Sequence, residues 1–354
     1  MDALFNVYKP KGPTSHDVVA RLRRASGVRR IGHAGTLDPL AEGVLVVAVG
    51  QATRLIEYLA KAEKEYLAEV TFGVETETDD AEGRVIAQRS IEGLDRGRLE
   101  AVLPQFVGEI EQRPPAYSAV NVGGRRLYEL ARRGQDVEAP MRRVRITRLA
   151  LQEWSPPVAK LLVECSKGTY IRSLARDLGR ALGCGAYLSG LVRLRVGRFV
   201  AHNAVPLDEL EERLRRGEWP AVALPVDAAV AHLPRVDAGP ADARRLAHGL
   251  PVARAAEPAA FAPAPAGGAP EDASRLARVH GPDGRLLAIV EASEHEGQAV
   301  WRPVKVLVTA AAPSRGSEAE PGPAPADGAA PVRSRSSSPD ASAVAASRTP
   351  RGGA

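Results

Sequence analysis

The sequence predicts an α+β protein in which strand-like and helical runs interleave and a smaller β-rich domain follows. Three observations carry that expectation. Residues 144–153 and 158–166 are strand candidates joined through Ser155-Pro156-Pro157. Residues 18–25 and 170–182 place apolar side chains at helical spacing: Val18, Val19 and Leu22 in the first, Ile171, Leu174, Leu178 and Leu182 in the second. Beyond residue 225, strands are expected near 277–280, 286–291 and 300–308, with Asp283-Gly284 as the hairpin turn between the first two. At 354 residues the chain is long enough for two domains with proper cores.

Taken in order, residues 5–8 alternate as a short strand that stops at the stiff turn Lys9-Pro10-Lys11-Gly12-Pro13. Thr14, Ser15, His16 and Asp17 then offer N-cap candidates for the helix over 18–25. A glycine-punctuated loop leads into an apolar strand at 44–49, and a helical stretch follows near 52–62. Residues 65–73 alternate as a strand carrying Tyr66 and end in an acidic stretch, 75–83, expected to be a solvated loop. Residues 94–107 read as a surface helix. Arg113-Pro114-Pro115-Ala116-Tyr117-Ser118 reads as an extended loop, because its prolines exclude a regular helix or a central strand.

Gly123-Gly124 precedes a basic helical segment, 125–133, and the helix over 170–182 stops at Gly183 and Gly185. A basic strand, 191–200, and a polar helix, 207–216, come next. Inside the C-terminal domain, 255–273 is rich in Ala, Pro and Gly and is expected to be an exposed loop. From residue 310 onward almost no large apolar side chain remains, so the tail is expected not to fold.

Composition narrows the function classes. No apolar run approaches the length of a membrane span, and the N-terminus has neither a basic region nor an apolar signal core. Only Cys165 and Cys184 occur, without His or Cys at ligand spacing, so neither a disulfide scaffold nor a zinc site is expected. A reducing, cytoplasmic location fits. Net charge is only +5, yet arginine comes in four clusters, at 21–30, 125–133, 142–148 and 193–198. Guanidinium forks match phosphate geometry, so together the clusters favour a polyanion partner over a membrane surface.

The stretch Gly32-His33-Ala34-Gly35-Thr36-Leu37-Asp38-Pro39-Leu40-Ala41-Glu42-Gly43 frames one acid with glycines. Pro39 disfavours the α region at Asp38, which therefore sits on extended or turn backbone. Leu37 and Leu40 flank it, so the carboxylate needs a cationic partner or a raised pKa. The bland alternative is an Asp-Pro turn before a strand. No phosphate-binding glycine motif and no nucleophile elbow is present, and 75–83 lacks calcium-loop spacing. An aspartate can act as nucleophile or base on a sugar–base linkage without a metal. A hydrolase would want a second carboxyl group, for which Glu42 is only a weak candidate.

Gly-His-Ala-Gly-Thr-Leu-Asp-Pro-Leu-Ala at 32–41 resembles the signature of the bacterial tRNA pseudouridine synthase B family. Further blocks match in the same order: Tyr8-Lys9-Pro10-Lys11-Gly12-Pro13-Thr14-Ser15, Lys64-Glu65-Tyr66, Pro114-Pro115-Ala116-Tyr117-Ser118-Ala119, Cys165-Ser166-Lys167-Gly168-Thr169-Tyr170-Ile171-Arg172 and Leu191-Val192-Arg193-Leu194. The likeness covers about residues 4–232, and Arg302-Pro303-Val304-Lys305-Val306 more loosely resembles the end of the family's RNA-binding domain.

The resemblance implies a pseudouridine-synthase fold with a mixed, largely antiparallel sheet over 1–232, with an RNA-gripping insertion at 113–138. It also implies a PUA-like β-barrel over 233–309, interrupted by the 255–273 loop, before the 310–354 tail. The implied reaction converts the T-arm uridine at position 55 of tRNA to pseudouridine. Asp38 would be the catalytic aspartate, Arg172 its partner, and Tyr66 the stacking residue that also serves proton transfer. Tyr170 and Leu191 would line the base pocket, and His33 would stand against the RNA where the nucleotide leaves the stack. No cofactor, metal or membrane is expected, the partner is tRNA, and the chain is expected to act as a monomer.

Overall fold

A computed structural model describes residues 1–118, 120–133, 139–254 and 275–307. The expected loop at 255–273, the tail from 310 and parts of the 113–138 insertion lie outside them. The first strand, β1 (Ala3–Lys9), is buried along nearly its whole length and ends at Pro10, which cannot donate to a ladder. Helix α1 (Ser15–Ser26) starts on a capping box. The Thr14 hydroxyl accepts from Asp17 N–H at 3.0 Å, and the Asp17 carboxylate accepts from Thr14 N–H at 2.9 Å. It ends on Gly27 at φ 69°, where a β-carbon would be strained.

Strands β2 (Ile31–His33) and β3 (Ala41–Val49) flank the glycine-framed loop. The stretch expected to be helical at 52–62 is a 3₁₀ turn, Gly50–Leu55, followed by the short α2 (Ile56–Ala60). Strand β4 (Lys64–Phe72) alternates strictly, burying Lys64, Tyr66, Ala68, Val70 and Phe72 on one face. The acidic stretch is not the open loop expected. Strands β5 (Val74–Thr76) and β6 (Val85–Gln88) form a hairpin, and Asp80 at its turn is 3% exposed.

The surface helix expected at 94–107 is shorter and more buried. Helix α3 (Arg96–Val102) gives way to a 3₁₀ turn containing Pro104, and Leu99, Val102 and Leu103 are in the core. Strand β7 (Gly108–Gln112) follows. In the basic segment, β8 (Asn121–Val122) and β9 (Arg125–Arg126) pair across Gly123-Gly124 before helix α4 (Leu127–Arg132). Strands β10 (Arg142–Ser155) and β11 (Val158–Cys165) form the expected antiparallel pair.

Helix α5 (Ile171–Ala181) buries Ile171, Leu174, Ala175 and Leu178. Strand β12 (Ala186–Val196) begins five residues before the expected start, and Gly197 at φ 53° separates it from β13 (Phe199–Val200). Strand β14 (Val205–Pro206) and helix α6 (Leu207–Arg216) complete this part.

The main sheet runs β14-β1-β3-β12-β4-β11-β10-β7, with β2 on β3 and β13 on β12. Only β1–β14 and β3–β12 pair in parallel, so the sheet is mixed and largely antiparallel. Beyond it, β15 (Arg235–Asp237), α7 (Pro240–Ala247), β16 (Val252–Ala253), β17 (Leu276–His280), β18 (Leu286–His295) and β19 (Gln298–Val306) form a five-stranded, PUA-like sheet in the order β15-β17-β18-β19-β16. Helix α7 has no counterpart in the sequence expectation. The two sheets share a core cluster in which Leu4, Val44 and Val46 meet Leu233, Leu286, Ile289 and Leu307. The face of β4, β11 and β12 that carries Tyr66, Ala68, Leu161, Val163 and Leu191 packs under α5 and α3, in one cluster with Leu37 and Leu40 of the glycine loop.

Candidate active site

The loop between β2 and β3 lacks a ladder of its own, so its backbone polar groups need partners from elsewhere. Each carbonyl from Gly35 to Pro39 has one. The Ser15 hydroxyl donates to Leu37 C=O at 3.0 Å and accepts from Leu37 N–H at 2.8 Å. Gly12 N–H reaches Pro39 C=O at 2.8 Å, and Ala41 N–H reaches Asp38 C=O at 3.1 Å. The Arg193 guanidinium donates to Gly35 C=O at 3.0 Å and to Thr36 C=O at 3.3 Å. Leu37 and Leu40 are buried beneath, while the Asp38 side chain keeps 36% of its exposure and faces outward.

Asp38 Oδ2 lies 3.0 Å from Nε of Arg172 on the first turn of α5. The Arg172 side chain is almost fully buried and is held from four sides. Its Nη1 is 3.4 Å from Asp80 Oδ2 and 3.3 Å from Thr78 C=O, and its Nη2 donates to Tyr117 C=O at 3.0 Å. A guanidinium clamped in this way presents Nε to the carboxylate in one orientation.

Tyr66 and Leu191 belong to the same buried cluster as Leu37, Leu40 and Ala41. Leu191 on β12 stands opposite Ala68 of β4 on one side and Ala41 of β3 on the other. Burial pushes the Tyr66 hydroxyl above its usual range, with Arg193 opposing, so the phenol is neutral at physiological pH. His33, on β2, meets His16 edge to face at 6.5 Å between ring centroids. Burial, helped by Arg193 and His16, lowers its pKa, so its imidazole is neutral at physiological pH.

Tyr170 is placed differently. It precedes α5 and is tied to β7, its N–H donating to Gln112 Oε1 at 2.8 Å and its C=O accepting from Gln112 Nε2 at 3.0 Å. It packs against Val120 and Leu127 of the insertion and Ala139 just after it rather than into the Tyr66–Leu191 cluster. Glu42 hydrogen-bonds with Tyr8 from within β3 and pairs with Val192, so it is already engaged.

Residues 23–171 match the TruB family pseudouridylate synthase N-terminal domain, and residues 172–231 match the tRNA pseudouridylate synthase B C-terminal domain. The tRNA pseudouridine synthase B of Symbiobacterium thermophilum is 52% identical over 253 residues, covering 71% of this chain and 83% of its own. The chain belongs to the tRNA pseudouridine synthase B family. It is therefore an isomerase that forms pseudouridine in tRNA.

The synthase B of Dehalococcoides mccartyi is 41% identical over 310 residues, covering 87% of this chain and 97% of its own. Among solved structures, a Cbf5–Nop10–Gar1 complex aligns with a TM-score of 0.65 at 27% identity, covering 87% of this chain and 85% of that one. An H/ACA ribonucleoprotein bound to a substrate RNA containing 2′-deoxyuridine aligns at 0.63 and 25%, covering 86% and 85%.

Several residues that shape this synthase site escaped the sequence reading. The sequence places Asp80 in a solvated acidic loop, yet it is buried against Arg172. Its neighbour Asp79, at φ 61°, pairs with Arg176 at 2.8 Å. In sequence, Arg193 and Arg195 fall in a basic cluster that favours a polyanion. Arg193 is instead 1% exposed, and Arg195 pairs with Glu65 at 3.0 Å and Glu164 at 3.2 Å. Lys9 is fully buried, its Nζ donating to Ala41 C=O at 2.6 Å and Pro10 C=O at 2.9 Å. Burial brings its pKa down to about 8, against an opposing pull from Asp38. Lys9 and Arg193 stand inside the family-like blocks, which was the one signal that could have marked them, whereas Asp80 and Arg195 lie outside those blocks.

Proposed function

We propose that this synthase acts on the T-arm uridine at position 55, in cytoplasmic tRNA, with Asp38 as nucleophile or base and no cofactor. The single observation that carries the role is the 3.0 Å ion pair from an outward-facing carboxylate to a clamped arginine. In the reaction the N1–C1′ bond breaks, a C5–C1′ bond forms, C5 loses its proton and N1 gains one. Asp38 is free to act on the ribose because Arg172 holds one of its oxygens and leaves the other available.

Reaching the glycosidic bond requires extruding the uridine, at a cost of a few kcal/mol in stacking. Tyr66 stacks on the extruded base and offsets part of this, typically ~1–3 kcal/mol per base. Its neutral hydroxyl can pass a proton. Leu191 supplies the apolar wall beside it, His33 stands as a neutral side chain against the RNA, and Tyr170 links the base pocket to the insertion. Residues 1–232 act as the catalytic domain, with 113–138 gripping the RNA, and 233–309 as a second RNA-binding domain. The protein works as a monomer.

Tritium release from tRNA labelled at uridine C5 tests the chemistry. Asp38→Asn is expected to abolish release while tRNA binding survives; retained turnover would remove Asp38 from the role. Mapping modified positions in tRNA made with and without the protein tests the T-arm assignment, which fails if position 55 is unchanged.

A further inference from the structure

Arg193 is the largest fully buried side chain of the described residues, and its guanidinium donates to three backbone carbonyls and hydrogen-bonds with the Tyr66 side chain. Its Nε donates to Val44 C=O at 2.7 Å, its Nη2 to Gly35 C=O at 3.0 Å and its Nη1 to Thr36 C=O at 3.3 Å. The guanidinium thus spans the Asp38 loop, gripping it before Asp38 and again where β3 begins. The backbone of Arg193 is equally close. Gly43, at φ 101°, would place a β-carbon 2.3 Å from Arg193 C=O. On its other side, Arg193 stands directly opposite Tyr66 in the β12–β4 ladder, where side chains of facing residues lie in contact.

Burying a guanidinium among neutral carbonyls is unfavourable compared with packing an apolar side chain of similar size. What an apolar side chain cannot supply is a rigid planar fork that fixes several carbonyls at once. We propose that Arg193 is a positioning residue for the isomerisation, setting the placement of the Asp38 loop relative to Tyr66. This rests on the assignment of Asp38 and Tyr66 to the reaction. It differs from the role implied by the basic cluster, because a side chain with 1% exposure has no surface to offer a phosphate.

The test compares Arg193→Met, Arg193→Lys and Asp38→Asn in single-turnover tritium release, with tRNA affinity and thermal melting measured on each. Misplacing a reacting group by about 1 Å costs on the order of 100-fold in rate, so Arg193→Met is expected to lower the turnover rate by about that factor. The Kd for tRNA should stay unchanged in a protein that still melts cooperatively. Arg193→Lys keeps the buried charge but not the fork, and is expected to recover only part of the rate. Wild-type turnover in either Arg193 variant would overturn the proposal, as would a parallel loss of tRNA affinity. Should Arg193→Met fail to fold, the Lys variant decides alone: reduced rate at unchanged Kd supports positioning, and full rate refutes it. Asp38→Asn separates the two claims. If it stays active, the site assignment has failed; if it is dead while Arg193→Met is fully active, only the positioning role has.

Discussion

At the scale of single residues, the site is a chain of charges held in place by one another. Asp38 meets Arg172, Arg172 meets Asp80, and Asp80 is fixed at the turn of the β5–β6 hairpin, where its Oδ1 accepts from Glu82 N–H at 3.1 Å. Removing the Asp80 charge leaves Arg172 buried with one carboxylate instead of two. Asp80→Asn is therefore expected to slow isomerisation by roughly 10- to 100-fold through misalignment of the Asp38 partner. Its tRNA affinity should be unaffected, and single-turnover rates against binding isotherms check this. The identity of Asp38 as the focal acid was legible from its glycine frame and from Pro39. Asp80 was not, because in sequence it sits among Glu75, Glu77, Asp79 and Glu82, and nothing local distinguishes the acid that turns inward.

At the scale of elements, two helices do the placing. Helix α5 binds the acidic hairpin and the root of the insertion together. Arg172 and Arg176 reach Thr78 and Asp79 on one side, while Arg172, Ser173 and Arg176 donate to the carbonyls of Tyr117 and Arg113 on the other. Helix α1 holds the Asp38 loop through Ser15, with two hydrogen bonds to Leu37 that are wholly buried. Ser15→Ala orphans both backbone groups, so it is expected to cost ~1–3 kcal/mol of stability and to lower turnover with it. Chemical denaturation and the release assay measure the two effects; an unchanged denaturation midpoint would contradict the prediction. Both helices were legible because their apolar period is strong and their starts are capped or flanked by glycine. Strand β7 and helix α7 were missed because β7 (Gly108–Gln112) carries a single large apolar residue, and α7 is rich in alanine. Such segments take their structure from their neighbours.

At the scale of the whole molecule, buried cations underlie the catalytic sheet. Lys9 donates to Pro10 and Ala41, Lys64 donates to Ala60 and Ala62, and burial lowers both from their ordinary 10.5 to about 8, with Arg193 adding to the shift. The sign of the pH dependence follows. Between about 8 and 10.5 the unfolded chain binds these protons and the folded protein does not, so their contribution makes stability rise with pH in that window. As pH falls through about 8 that contribution is lost, because both lysines must then be charged in the folded protein. Unfolding free energies measured across this range should show the rise, and Lys9→Met with Lys64→Met should flatten it. An identical slope in the double variant would show that the lysines titrate normally.

Sequence by itself determined the family, the class of fold and the focal acid, because those are carried by local patterns: glycine and proline around Asp38, alternation in β4 and the helical period of α5. It also placed Tyr66 on a strand face and Arg172 on a helix start. Only the tertiary structure decided which charges serve the site. Arg193 and Arg195 belong to one basic run and, two apart on a regular strand, would share a face, but a register shift between them on β12 sets Arg193 opposite Tyr66 and Arg195 opposite Glu65, so one is buried under the Asp38 loop and the other pairs with Glu65 and Glu164. Asp80 and Glu77 belong to one acidic run, yet one is buried against Arg172 and the other pairs with Arg84 at the surface. A charge costs little in water and much in the interior, so its role depends on where the fold leaves it, which no local pattern records.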